Sequence, residues 1–130
     1  MDHVFNLSFP RGYHWFREKG LAGYEPFSQL EPWYFLSDEQ IFSIDERWPK
    51  NSEFKNIIAF ARRQDNDDIA CFFNYENETQ KRVLIIHGWT DGGYDICNQY
   101  DDYWGWIKTV LEDVRLWIGD VTLGSGMLSR

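Results

Sequence analysis

Residues 82–93 read RVLIIHGWTDGG. Four apolar residues, Val83 to Ile86, run directly into His87-Gly88, and Asp91-Gly92-Gly93 follows. A strand that ends in His-Gly beside further glycines has the form of an oxyanion-hole loop in an α/β-hydrolase. That fold also needs a nucleophile elbow, G-x-S-x-G, on a strand-to-helix turn. The nearest candidate, Gly124-Ser125-Gly126, has the wrong spacing, and residues 94–130 are too short for the required α/β succession. The stretch therefore reads as a strand closed by a turn, with Asp-Gly-Gly supplying the turn chemistry.

Reading outward from it, the middle of the chain has strand character. Residues 56–62 (NIIAFAR) and 68–75 (DIACFFNY) are apolar runs separated by Gln64-Asp65-Asn66-Asp67, and residues 77–80 form a second turn before the run at 82–89. Residues 94–98 add a short fourth strand. Such short connections join antiparallel neighbours, so the strands form a meander. Their nearly continuous apolarity calls for a helical layer on at least one face.

Residues 102–118 supply that layer. Tyr103, Ile107, Val110, Val114 and Trp117 recur at helical spacing, and Trp104, Leu111 and Ile118 widen the stripe. Asp101 is the expected N-cap and Gly119 the stop. Upstream, residues 10–19 read as a helix that begins after Ser8, buries Tyr13 and Phe16, and stops at Gly20. Residues 33–36 are extended. Ser37-Asp38-Glu39-Gln40 has the capping-box pattern, so a helix over 38–48 is expected, with Ile41, Ile44 and Trp48 on one face and Pro49 beyond its end. The expectation is a single α+β domain over residues 1–118. Its mainly antiparallel sheet is a meander of three to five strands, packed against helices that include a long C-terminal one. Residues 119–130 are expected to form a mobile tail.

The chain has 130 residues, 18% of them aromatic, with seven tryptophans, which is the composition of a packed domain. No basic leader precedes Pro10-Arg11, and no stretch approaches the roughly 20 apolar residues of a membrane span, so a cytoplasmic location without membrane association is expected. Cys71 and Cys97 sit beside apolar residues and read as two reduced, buried thiols, with one disulfide left open. The formal net charge is −8. Residues 65–102 concentrate it: Asp65, Asp67, Asp68, Glu76, Glu78, Asp91, Asp95, Asp101 and Asp102 stand against Lys81 and Arg82 alone. Such a surface repels phosphates, which disfavours nucleic-acid binding, and accelerates encounter with a basic protein.

The residues capable of chemistry do not assemble into a known site in sequence. His3, His14 and His87 lack an i,i+4 partner and no C-x-x-C is present, so neither a metal nor another cofactor is expected. Asp65, Asp67 and Glu76 would occupy positions of a calcium loop, but Ile69 and Ala70 stand where a ligand and the bend glycine belong. Cys71 and His87 fall on neighbouring strands and leave a nucleophilic pair open, although the setting Ala70-Cys71-Phe72-Phe73 suits an inert buried thiol. No catalytic residues are expected. Trp104 and Trp106 point about 200° apart on a helix, so one of them faces outward or is covered by another element. The residues expected to touch a partner are Asp65, Asp67, Asp68, Trp89, Asp91, Asp95, Asp101, Asp102 and Trp106.

Laid out in order, the chain resembles the SMI1/KNR4 family, also called the SUKH superfamily. Phe9-Pro10, Tyr13, Phe16 and Gly20 look like its opening helix and turn. Residues 33–41 (WYFLSDEQI) look like its middle stretch. Ile58-Ala59-Phe60, Asp67-Asp68 and residues 69–72 look like its two strands with an acidic turn, and Tyr103, Trp106 and Ile107 look like the aromatic positions of its last helix. The resemblance implies a one-domain α+β protein without catalytic residues. Many bacterial members look like immunity proteins that bind and block a toxin, often a nuclease or deaminase; fungal members act in cell-wall regulation. The implied function is neutralisation of a basic, nucleic-acid-targeting toxin, with a regulatory or scaffold module as the alternative.

Overall fold

A computed structural model of the chain describes residues 9–21, 23, 28–48, 57–73, 82–88 and 93–119. Six strands are present among them: β1 (Trp33–Phe35), β2 (Phe42–Ser43), β3 (Ile57–Arg63), β4 (Asp68–Phe73), β5 (Arg82–Gly88) and β6 (Tyr94–Tyr100). Three helices accompany them: α1 (Arg11–Glu18), α2 (Ile44–Arg47) and α3 (Tyr103–Trp117). The sheet runs β1-β3-β4-β5-β6, with β2 also on β3, and every pairing is antiparallel. The α+β architecture, the β3–β6 meander and the long last helix are as the sequence implies.

Both faces of the sheet are covered, which explains the nearly continuous apolar runs of β3, β4 and β5. On one face Ala70 and Phe72 of β4 and Val83 and Ile85 of β5 pack under α1 and α3, with Tyr13, Phe16, Tyr103, Trp106, Ile107 and Val110. On the other, Ile69, Cys71, Phe73, Leu84 and Ile86 pack against Leu36, Ile44 and Trp48. In β3 the alternation breaks at Phe60, where a bulge between Ala59 and Ala61 puts Phe60 and Ala61 in the same core. The first core is rich in aromatics: Phe60 and Phe72 stack with centroids 3.9 Å apart, and Trp106 meets Trp33 edge-on at 5.4 Å.

Local chemistry sets the helix ends. Gly20 takes φ 70°, its N–H donates to Arg17 O and that of Leu21 to Phe16 O, the two bonds of a Schellman stop. Pro10 is the residue at the N-cap of α1; Ser8, expected there, lies outside the described residues. For α3 the cap is Asp102, one residue later than expected, whose Oδ1 accepts from Gly105 N at 2.9 Å. The expected helix over 38–48 is corrected. The Ser37–Gln40 pair closes only a turn, Gln40 Oε1 accepting from Ser37 N at 3.0 Å, after which Phe42–Ser43 pairs with β3. Only Ile44–Arg47 is helical, and Glu46 reaches back to the N–H of Ser43. Strand pairing at Phe42–Ser43 outweighs the local helical preference of residues 38–43. The expected tail lies outside the described residues from 120 onward.

Candidate functional site

Gly88 in the opening motif has a packing role. A Cβ built on it would lie 2.6 Å from Cζ2 of Trp48, so the indole lies directly on the backbone at the end of β5. Trp48 in turn packs on Tyr94 at 5.5 Å. The glycine is the floor of a tryptophan site.

His87 lies on the opposite face from Gly88 and has two acidic neighbours. It is the register partner of Asp68 on β4 and of Asp95 on β6. Directly opposed residues on adjacent strands project from the same face. Asp68, His87 and Asp95 therefore form a row across three strands, and His87 Nδ1 lies 3.2 Å from Asp68 Oδ1. With the proton on Nδ1, His87 donates to the carboxylate. The side chains are 45% and 26% exposed, so the row faces solvent at this end of the sheet. Asp67, exposed in the β3–β4 turn, extends it. The backbone N–H of Asp68 also donates to Asn66 Oδ1 at 2.8 Å, which shapes that turn.

The other expected contact residues separate into distinct situations. Asp65 is bound by Arg63, with Nε–Oδ1 at 2.8 Å and Nη2–Oδ2 at 2.9 Å, so its charge is already paired. The hydrogen bond from Arg63 is the main cause holding the Asp65 carboxyl below its usual range. Arg63 also approaches Asp113 on α3 at 3.4 Å, and Asp113 accepts from Trp33 Nε1 at 2.9 Å. This latch joins β1, β3 and α3. Asp101 and Asp102 do not join the row. They follow β6 at its far end, about 20 Å from Asp95 at the rise of a strand. There Asp101 pairs with Arg82 at 3.2 Å, and Asp102 caps α3. Trp106 is 0% exposed in the aromatic core, which corrects its assignment to a partner surface; of the two divergent tryptophans, Trp104 faces outward, at 51%. Trp89 and Asp91 lie outside the described residues.

Both questions about the cysteines close. Cys71 pairs in register with Leu84 and faces the Trp48 side of the sheet, whereas His87 faces the other side, so they form no nucleophilic pair. Burial pushes the Cys71 thiol well up. Cys97 sits on β6 with β5 between the two, a separation of about 9.5 Å across two strand spacings, beyond disulfide reach; both are free, and the expected burial holds for Cys71 but is corrected for Cys97, which is exposed on the last strand. Among the described residues no three His, Cys, Asp or Glu side chains converge as metal ligands, and no helix is long and apolar enough to cross a membrane.

The sequence places residues 94–98 last in the meander but does not show how exposed that strand is. β6 exposes five consecutive side chains, Asp95 to Gln99, although Ile96 and Cys97 look like core residues in sequence. The edge is blunted by a bulge at Cys97, where the β5 register skips one residue, and by Asn98 Oδ1, which accepts from Gln99 N at 2.9 Å. Comparison with models of known protein families, with curated proteins and with solved structures finds no match to this chain.

Proposed function

We propose that this chain is a non-catalytic immunity protein of the SMI1/KNR4 type, which neutralises a basic, nucleic-acid-targeting bacterial toxin through its acidic corner. The observation that carries this reading is the solvent-facing row Asp68–His87–Asp95, extended by Asp67. A cluster of carboxylates on a rigid sheet end, in a protein of net charge −8, steers a cationic partner and competes with the phosphates that such a partner binds. Asp65, Asp101 and Asp102 contribute less, because Arg63, Arg82 and the α3 N-terminus already engage them. A regulatory module is the second reading, favoured by the apolar side chains that α1 and α3 expose, Trp15, Trp104 and Leu111 among them.

Co-expression with basic nuclease and deaminase effector domains in a bacterial host tests the first reading. Growth should be rescued from at least one effector, and the triple variant Asp67→Asn, Asp68→Asn, Asp95→Asn should lose the rescue while keeping its circular dichroism. Undiminished rescue by the triple variant, or rescue from none of the effectors, would reject it.

A further inference from the structure

The acidic corner contains one group whose charge changes under mild conditions. His87 occupies the middle of the row, opposed by Asp68 on β4 and by Asp95 on β6. Its Nδ1 is engaged by Asp68 Oδ1 at 3.2 Å, and Nε2 has no hydrogen-bond partner among the described residues. The side chain is 45% exposed, so water reaches the ring. Imidazole is the side chain that gains and loses a proton between about pH 5 and 8. With the ring neutral, the three carboxylates of Asp67, Asp68 and Asp95 give the corner a formal charge of −3. A proton on Nε2 makes that −2 and leaves the bond from Nδ1 to Asp68 in place.

The groups that surround the ring leave this proton in control of the row. β4 and the turn before it carry Asp68, Asp67 and Asp65. β6 carries Asp95 and Cys97, whose thiol is raised by partial burial and then by the charges of Asp68 and Asp95. Arg63 of β3 lies within electrostatic range of Asp68, but its hydrogen bonds go to Asp65 and it turns its other side to Asp113 of α3. Among the described residues, no lysine or arginine forms an ion pair with Asp67, Asp68 or Asp95. We propose that His87 makes the corner's hold on a basic partner depend on pH: firm with the ring neutral, loosened when Nε2 takes a proton. This rests on the reading of the corner as a docking surface for cations. Linkage makes the effect reciprocal, so a bound cationic partner expels the proton from Nε2. The fold is the same in both states; only the charge of the row differs.

A short oligoarginine peptide serves as the probe. Its binding to the full chain is read by fluorescence anisotropy at low ionic strength, at about pH 8 and about pH 5. His87→Gln keeps a hydrogen-bond donor but takes up no proton, and His87→Lys carries a fixed positive charge. Between the higher pH and the lower, the native protein should lose about threefold more affinity than His87→Gln, the factor that one unit charge at roughly 6 Å gives in bulk water. His87→Lys should bind more weakly than His87→Gln at both pH values. Titration of every other group, His3 and His14 included, is common to these proteins and cancels in the comparison. An equal pH response from the native protein and His87→Gln, or His87→Lys binding as tightly as His87→Gln, overturns the inference while the corner stands as a docking surface. Undiminished binding at about pH 8 by the Asp67→Asn, Asp68→Asn, Asp95→Asn variant, or no binding by any of these proteins, overturns both, because the corner then holds no cation.

Discussion

At the residue scale, several side chains have a single clear role and a measurable consequence. Gly88→Ala would drive a methyl group into the Trp48 indole, 2.6 Å away, and should cost about 1–3 kcal/mol in urea denaturation, the usual penalty for overpacking; a neutral result would remove Gly88 as the seat of Trp48. Tyr103 behaves in the opposite sense. Its hydroxyl is buried without a hydrogen-bond partner among the described residues, and burial, with Tyr13 nearby, pushes its pKa well up. Tyr103→Phe removes that group while keeping the ring, so stability should hold or rise by about 1–3 kcal/mol; a clear loss would reveal a partner for the hydroxyl. The cysteines separate by access: a thiol reagent should modify Cys97 in the folded protein and reach Cys71 only on unfolding. Modification of both sulfurs in the native state would contradict the buried position of Cys71. Asp65 gives a pH signature. Its folded-state pKa is depressed by Arg63, so its stabilising contribution is present above the ordinary carboxylate range and is lost as pH falls through the folded value. Arg63→Gln should flatten that part of the acid-side melting curve; an unchanged profile would assign the acid sensitivity to other groups.

At the element scale, β3, β4, β5 and α3 were legible in the sequence because burial decides them. Runs such as Ile69 to Phe73 have no stable place except inside a sheet covered on both faces, and the three-four spacing of Tyr103 to Trp117 has none except on a half-buried helix. Residues 38–48 were not legible. The local capping pattern at Ser37 is real, but the free energy lies in the pairing of Phe42 and Ser43 with β3, far away in sequence. The exposure of β6 was hidden for a related reason: nothing packs over the side chains of this last strand of the meander among the described residues, which leaves Ile96 exposed despite its apolar character. The acidic row was likewise invisible, because Asp68, His87 and Asp95 meet only through the β4–β5–β6 register. Asp102→Ala tests the α3 start: loss of the cap to Gly105 should cost about 1 kcal/mol and fray the first turn, whereas Asp101→Ala should cost far less. Equal costs would return the cap to the position the sequence suggested.

At the scale of the whole molecule, charge is segregated. α1 with its cap residue and α3 together carry Arg11, Arg17, Lys19, Lys108 and Arg115 against Glu18, Glu112 and Asp113, a slight cationic excess, while Asp67, Asp68 and Asp95 gather at one end of the sheet. A basic partner approaching such a molecule is oriented before contact, and its association rate should fall steeply as salt shortens the Debye length from about 30 Å at 0.01 M to about 8 Å at 0.15 M. Stopped-flow association with a rescued effector, followed across that range of ionic strength, tests the central claim most directly. The native protein should associate progressively more slowly as salt rises, and the Asp67→Asn, Asp68→Asn, Asp95→Asn variant should be slow throughout with a nearly flat salt dependence. An association rate that ignores salt, or a triple variant as fast and as salt-sensitive as the native protein, would contradict the assignment of the acidic corner as the docking surface.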